Sequence, residues 1–411
     1  ALCDAGVGIG KTYAYLTSCI LWRKYTGNQQ PVTISTSSVA LQNAILREYL
    51  PFLSQIFLGN QLIQTPIQGI IRKGKERFVC DERLSQRLFA VRDKKKNPEQ
   101  RNALSSLKRK LDLDMVPTLS GFDRQQVCVP AICPRNCPRK TCRYRQYLNN
   151  ARSGKFAVQI CNHNYLLADA IHRLRGLPPL LNDFGVLVVD EAHKLTEAAR
   201  QMTGRNLSRE NIEELSNLLS TEGYPYTAAQ FRDKSTALWN TLCPANSGAE
   251  RITFHLTPKR ETALRQLLTI FSHIRNRCAV SNSFRNWLEE AEQLLRSFSR
   301  LDRKKVLYID YDKENKAILC AASRKIPGFL KRALWNQKIP ILLTSGTLLA
   351  GGRFDRAEQV LGLAQNPRLR CFSVPSPIMR KTACSICQKS HWESVWAAVR
   401  RFNTWPDKSF D

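Results

Sequence analysis

The chain is short of acidic residues. Against 63 Lys and Arg it sets 34 Asp and Glu, a formal net charge of +29 over 411 residues. That imbalance argues against a basic partner and suits a polyanion, with affinity that falls steeply as salt rises. A membrane surface is the competing partner, but no apolar run reaches the ~18 residues that crossing a bilayer needs. No charged-then-apolar segment opens the chain, so the mark of secretion is missing as well. There is no Met at position 1, and only Ala1 to Asp4 stand ahead of the first motif, which reads as a piece cut from a longer chain. Apolar residues are not scarce. At 43% they support real cores, and the length exceeds the ~250 to 300 residues that one core usually serves, so two or more domains are expected.

What is present begins at residues 5–12, which read AGVGIGKT, and resumes at residues 188–193, VVDEAH. A phosphate cradle needs a turn free of side-chain bulk: Gly6, Gly8 and Gly10 let backbone N–H groups face the phosphates, Lys11 adds a point charge and Thr12 offers a hydroxyl to Mg²⁺. Ala5 stands where the usual G-x-x-x-x-G-K-[ST] pattern begins with Gly. Asp190 ends the apolar run Val186 to Val189, which puts a metal-binding carboxylate at a strand tip with Glu191 beside it to polarise water. Either stretch alone is weak, since a Gly-rich loop or a solvated helix start would explain it. Both together, in this order, predict binding and hydrolysis of a nucleoside triphosphate.

Strand-like runs at Val32 to Thr36, Ala157 to Cys161, Val186 to Asp190 and Pro340 to Thr344 alternate with helical stretches at Thr12 to Leu21 and Ala40 to Tyr49. That alternation predicts an α/β fold with a parallel sheet. Lys11 and Asp190 lie farther apart than a plain nucleotide core needs, so something is inserted between them. Apolar residues at helical spacing from Ile212 to Leu219 and from Trp287 to Phe298 predict amphipathic helices. Val306 to Tyr311 and Ala317 to Ala321, around Lys313-Glu314-Asn315, predict a hairpin. The basic stretch Arg92 to Arg109, with Lys94-Lys95-Lys96, fits either a nucleic-acid-facing rim or a solvated loop.

The insertion also holds a cysteine cluster. Cys80 stands alone, and Cys128, Cys133, Cys137 and Cys142 follow within fifteen residues, separated by four, three and four residues. Fourteen cysteines in a chain with no secretion signal are not a disulfide framework. No C-x₂-C knuckle occurs among these five, and the wide, irregular spacing suits a four-thiolate iron–sulfur cluster better than zinc, with free thiols as the remaining alternative. Cys19, Cys161 and Cys320 sit in apolar runs and read as core residues. Asn162 and His163 read as a helix cap.

The order of AGVGIGKT, ISTSSVALQ (34–42), KGKERFVC (73–80), a Cys trio followed by RYRQYLNNAR (143–152), CNHNYLL (161–167), VVDEAHKL (188–195) and LTSGTL (343–348) resembles the DinG/XPD group of superfamily 2 iron–sulfur helicases, the DinG branch above all. The resemblance runs from Ala5 to about Pro377. It implies a RecA-like P-loop sheet interrupted by an iron–sulfur cluster domain and a helical arch, and hydrolysis of ATP with Mg²⁺ to move 5′ to 3′ along single-stranded DNA threaded between those two inserts. Carried over, Ala5, Gly6, Gly8, Gly10, Lys11, Thr12 and Asp190 bind nucleotide and Mg²⁺. Lys11, Asp190, Glu191 and His193 act in hydrolysis, His193 relaying nucleotide state. Thr36, Gln42, Ser345 and Thr347 couple the site to DNA, with Gly346 where the family usually writes Ala. Cys80, Cys133, Cys137 and Cys142 hold a [4Fe–4S] cluster, with Cys128 as the alternative ligand. The implied boundaries are 1–72, 151–197 and 326–372 for the first RecA-like domain, 73–150 for the cluster domain, 198–325 for the arch and 373–411 for the start of a truncated second RecA-like domain. No Q-x-x-G-R-x-x-R stretch occurs before Asp411. The resemblance further implies a monomeric bacterial protein in the cytoplasm, associated with the nucleoid, acting on single strands, forks or R-loops and not on membranes. The alternative is a nucleic-acid-binding module with a vestigial ATPase.

Overall fold

Short β-branched runs closed off by Pro, Gly and Asn fold here as strands that are buried on both faces. The structure, a computed structural model, describes residues 1–6, 8–91, 98–130, 133, 137–138, 141–242, 251–279, 282–312 and 315–374. In chain order the strands are β1 (Leu2–Ala5), β2 (Val32–Ser35), β3 (Gly69–Arg72), β4 (Val158–Cys161), β5 (Val186–Asp190), β6 (Arg205–Ser208), β7 (Ile252–Thr253), β8 (Lys305–Tyr311), β9 (Ala317–Ser323), β10 (Ile341–Ser345) and β11 (Cys371–Val374). The chain divides into two units, Ala1–Leu195 with Lys331–Asp411, and Thr196–Leu330.

The first unit is built on a seven-stranded sheet in the order β11-β1-β10-β5-β2-β4-β3, with every pairing parallel. Every residue of β2, β4 and β5 is buried, as strands covered by helices on both faces must be. The helix Lys11–Tyr25 and the run Val39–Gly59, which passes through a π-turn at Ile45–Tyr49, pack Leu16, Ile20, Ile45 and Phe57 onto Ile34 and Val188. This is a parallel α/β sheet with the Gly-rich loop directly after β1. Register, more than strand length, decides which side chains meet at its rim: Asp4 pairs with Ser345 and Thr344 with Asp190. The C-terminal ends of β1, β10 and β5 therefore sit side by side, where open α/β sheets place ligands.

β11 is hydrogen-bonded to β1 as an edge of this same sheet, so the boundary expected at 372/373 falls inside a strand of the first domain. The second-domain stretch expected beyond it, at 375–411, lies outside the described residues, as do Lys94-Lys95-Lys96 and the Lys313-Glu314 turn.

Between β3 and β4 the chain forms the helices Asp81–Ala90, Pro98–Ser106, Gly121–Val127 and Arg143–Arg152 around a separate core of Val79, Leu104, Leu107, Leu113 and Val127. Its root is tied down by charge. Lys73 Nζ reaches Asp112 at 2.6 Å and Asp114 at 2.9 Å. Arg72, fully buried, donates through Nη1 to the Ala151 carbonyl at 3.3 Å and through Nη2 to that of Leu180. A buried guanidinium is tolerable only with such acceptors.

The second unit packs the helices Arg209–Thr221, Pro225–Asn240, Pro258–Arg277 and Asn282–Ser299 with an antiparallel sheet in the order β6-β9-β8-β7. Ser208 and Asn211 close a capping box at the first of these helices. Phe231 on Phe271 and Phe254 on Phe298 make edge-to-face pairs in its core at 5.1 and 4.7 Å.

Candidate active site

The phosphate loop follows β1. Gly8 and Gly10 have φ of 81° and 80°, the left-handed region that a Cβ disfavours, so glycine is required at these two turns. Gly10 caps the helix Lys11–Tyr25, whose first turn carries no acidic residue. Its free N–H groups and positive dipole end are open to an anion. Lys11 Nζ donates to the Ala5 carbonyl at 3.0 Å, which keeps the ammonium over the start of the loop. Thr12 sits beside it in the first turn. One turn on, at the same helical face as Lys11, the Tyr15 hydroxyl lies 3.4 Å from Asp190 Oδ2.

Asp190 ends β5 and is 2% exposed. Burial pushes its carboxyl above the ordinary range, while the Glu191 N–H and Lys11 act in the opposite sense. A buried carboxylate held in this way is primed for a divalent cation, which would restore the charge compensation that water no longer gives. The backbone N–H of Glu191 donates to Asp190 Oδ1 at 2.9 Å. Glu191 itself adopts φ 54°, ψ 45°, a left-handed conformation that costs a side-chain-bearing residue on the order of 1 kcal/mol. The strain turns its carboxylate back toward the site. Glu191 Oε2 lies 3.3 Å from His193 Nδ1, and that nitrogen lies 2.7 Å from Ser345 Oγ.

Ser345 continues the connection, since its Oγ is 3.3 Å from Thr347 Oγ1 and accepts the Thr347 N–H at 3.3 Å. Asp4, at the end of β1, accepts the N–H groups of Leu348 at 2.6 Å and Leu349 at 3.3 Å. This pins the LTSGTL segment against the phosphate loop. A Cβ on Gly346 would stand 3.3 Å from the Ala5 carbonyl, a tight approach of this segment to the phosphate loop. The structure thus brings Ala5, Lys11, Asp190, Glu191, His193, Ser345 and Thr347 into one connected set. Asp4 and Tyr15 escape the sequence reading, although a polar residue at a strand tip and a Tyr four positions after Lys11 were signals for both.

Thr36 and Gln42, expected to couple the site to DNA, are buried. They are 0% and 2% exposed. Thr36 Oγ1 accepts the Ser38 N–H, and Gln42 Nε2 donates to the Thr36 carbonyl at 3.3 Å. Their hydrogen bonds turn inward and shape the loop, and Val39 and Ala40 are its exposed residues. Asn162 is a helix cap, its Oδ1 accepting the Tyr165 N–H at 2.8 Å. His163 is not. Its ring is buried at 3% exposure with Nδ1 2.8 Å from Ser35 Oγ.

Among the described residues, no three His, Cys, Asp or Glu side chains gather as a metal-holding group. The expected thiolate set is therefore not assembled here, but its members fall into two kinds. Cys80 and Cys142 each open a helix from extended backbone with no side-chain cap hydrogen bond. They are neighbours because Asp81 accepts from the Arg143 backbone N–H at 3.3 Å and from Arg143 Nε at 2.7 Å. Cys133 and Cys137 are exposed. Cys128 is committed elsewhere: it packs on the insertion's apolar core and its thiol donates to the Gln125 carbonyl at 3.4 Å.

The chain is 29% identical to the ATP-dependent DNA helicase YoaA of Escherichia coli over 52% of its own length and 33% of that protein. It is 23% identical to the ATP-dependent helicase DinG of Mycobacterium tuberculosis over 91% of its own length and 60% of that protein. The chain is thus similar to ATP-dependent helicases named DinG and YoaA. It spans between about a third and three-fifths of the length of these curated relatives. A solved structure, S. tokodaii Xpd4, aligns over 82% of this chain and 57% of its own with 13% identity and a TM-score of 0.34. No protein-family model matches the chain. The Gly8–Thr12 loop, the Asp190–His193 turn and the Ser345–Thr347 segment are the parts in which the sequence motifs and the strand-end geometry coincide. No described helix is long and apolar enough to cross a membrane.

Proposed function

We propose that the protein carrying this chain is an ATP-dependent DNA helicase that moves 5′ to 3′ on single-stranded DNA as a monomer in the bacterial cytoplasm, at the nucleoid, on forks or R-loops. One observation carries the catalytic part: three adjacent strand ends set the phosphate loop beside Glu191, His193, Ser345 and Thr347, which are joined in series by contacts of 2.7 to 3.3 Å. In this reading Lys11 and the loop amides grip the β- and γ-phosphates, and Thr12 and Asp190 hold Mg²⁺. Glu191 orients the attacking water, and His193 passes the state of the γ-phosphate to Ser345 and Thr347. The residues 73–150 form the cluster domain, and the second unit supplies the arch.

Cys80, Cys133, Cys137 and Cys142 are the donors for a [4Fe–4S] cluster, with Cys128, half-buried against the apolar core, as the alternative ligand. When bound, the cluster supplies iron–thiolate bonds that cross-link the two ends of the insertion. Asp81 and Arg143 already hold those ends at its margin.

Lys11→Ala and Glu191→Gln in the full-length protein are expected to abolish DNA-stimulated ATP hydrolysis while leaving the thermal unfolding transition in place. ATPase retained within about threefold in both variants overturns the assignment. Intact DNA binding without any ATPase in the unmodified protein favours the binding-module reading instead.

A further inference from the structure

His163 lies where the ends of three strands meet. It is the first residue of the helix that follows β4, and the sheet order β5-β2-β4 places it beside the tip of β2 and within reach of the turn after β5. Its Nδ1 is 2.8 Å from the hydroxyl of Ser35, the last residue of β2. Its Nε2 is wholly buried and is turned to the backbone of Glu191, which acts on it as a weak hydrogen-bond partner short of normal geometry. His193 and Lys194 lie beyond that backbone. Burial keeps the ring neutral, with its pKa lowered to about 4. A neutral imidazole has one N–H and one bare nitrogen. With the Ser35 hydroxyl donating to Nδ1, the N–H falls on Nε2 and is directed at the strained Glu191 turn.

We infer that His163 is a positioning residue that connects the loop after β2 to the Glu191 turn, so that contact of nucleic acid with residues 36–40 is felt by the water-orienting carboxylate. The inference rests on the ATPase reading proposed for the site. Ser35 leads directly into Thr36, whose N–H is fixed to the Cys161 carbonyl at 3.0 Å. A shift of the loop therefore moves Ser35 and Cys161 together, and with them the ring. A buried donor held only weakly beside a left-handed backbone allows two arrangements: one as seen here, one in which Nε2–H closes fully on the Glu191 carbonyl and draws its side chain into line with the γ-phosphate. No residue of this connection touches nucleotide. It runs parallel to the His193–Ser345 contacts and shares with them only the Glu191 turn.

The two ring nitrogens can be removed separately. Asn at 163 reproduces the position of Nδ1 and Gln that of Nε2, and Ser35→Ala deletes the hydroxyl with the least change in volume. For the full-length protein, kcat and KM for ATP are measured with and without an oligothymidylate. The fold stimulation by DNA is expected to drop by about tenfold in Ser35→Ala, His163→Asn and His163→Gln, with KM for ATP within about twofold of the unmodified protein. Packing alone would not move that ratio. Stimulation retained in any of the three overturns the connection, because each keeps at most one of the two bonds it needs. Should the His163 variants fail to give a cooperative thermal transition, Ser35→Ala decides alone. If the unmodified protein shows no DNA-stimulated ATPase, both this inference and the reading beneath it fail. If it does, and only the variants match it, the ATPase reading stands and this inference falls.

Discussion

At the scale of single residues, the site is held together by groups whose burial exceeds what their chemistry would choose. Asp190 is a buried carboxylate, Glu191 a side-chain-bearing residue in a left-handed turn, and His163 a buried ring with one nitrogen only weakly bonded. Such costs persist where the surroundings over-determine them, and here they converge on one turn. The His163 cost has a measurable pH signature. Its pKa is about 4 in the folded protein against 6.5 for an unperturbed His. Above pH 6.5 both folded and unfolded forms are neutral at this position, and nothing is lost. As pH falls toward 4 the unfolded chain takes up a proton that the native ring refuses, and the native state loses on the order of 3 kcal/mol. Thermal unfolding followed from pH 7 to pH 4.5 should therefore show a steeper loss of Tm for the unmodified protein than for His163→Gln. Equal slopes for the two would mean that the ring charges freely in the folded state.

Elements set what the sequence can reveal. β2, β4, β5 and β10 are legible because each is a short apolar run that stops at a residue with a task, Ser35, Cys161, Asp190 and Ser345. β3 and β11 are not. Gly69–Arg72 is a strand only because β4 pairs with it, and Cys371–Val374 is an exposed edge with no pattern of its own. The same limit applies at the site. The motifs name Lys11, Asp190 and Glu191, but the inward turn of Thr36 and Gln42 and the bond from Ser35 to His163 depend on which strand lies beside which, and that is set by tertiary pairing. In the insertion, the legible part is the cysteine spacing. The contribution of the fold is the different standing of the five thiols, two at helix starts, two exposed and one committed to a core. Anaerobically purified full-length protein is expected to be brown and to contain iron. Cys→Ser at 80, 133, 137 or 142 should bleach it, and Cys128→Ser should leave the colour. Zinc without iron on elemental analysis would sink the cluster proposal, and bleaching by Cys128→Ser alone among the five would move the ligand set.

For the whole molecule the dominant quantity is charge. An excess of +29 far exceeds what solubility asks of a chain this size, and if it serves DNA, the logarithm of affinity for a single strand should fall linearly with the logarithm of salt, by about 0.7 per phosphate contacted. A slope of several units is expected. Its absence would remove the polyanion reading altogether. Salt dependence cannot by itself separate a DNA track from a uniformly basic surface, because both release counterions. Direction can. A motor that grips one strand backbone and moves 5′ to 3′ needs a free 5′ single-stranded tail to begin opening a duplex, whereas a basic surface is indifferent to which end is free. Full-length protein with ATP and Mg²⁺ should therefore unwind a 5′-tailed duplex and leave blunt and 3′-tailed duplexes closed. Glu191→Gln should bind the same substrates with the same salt slope and open none of them, since it keeps every basic side chain but lacks the carboxylate that orients water. Unwinding confined to 3′ tails would contradict the polarity proposed for this chain while leaving its ATPase assignment intact.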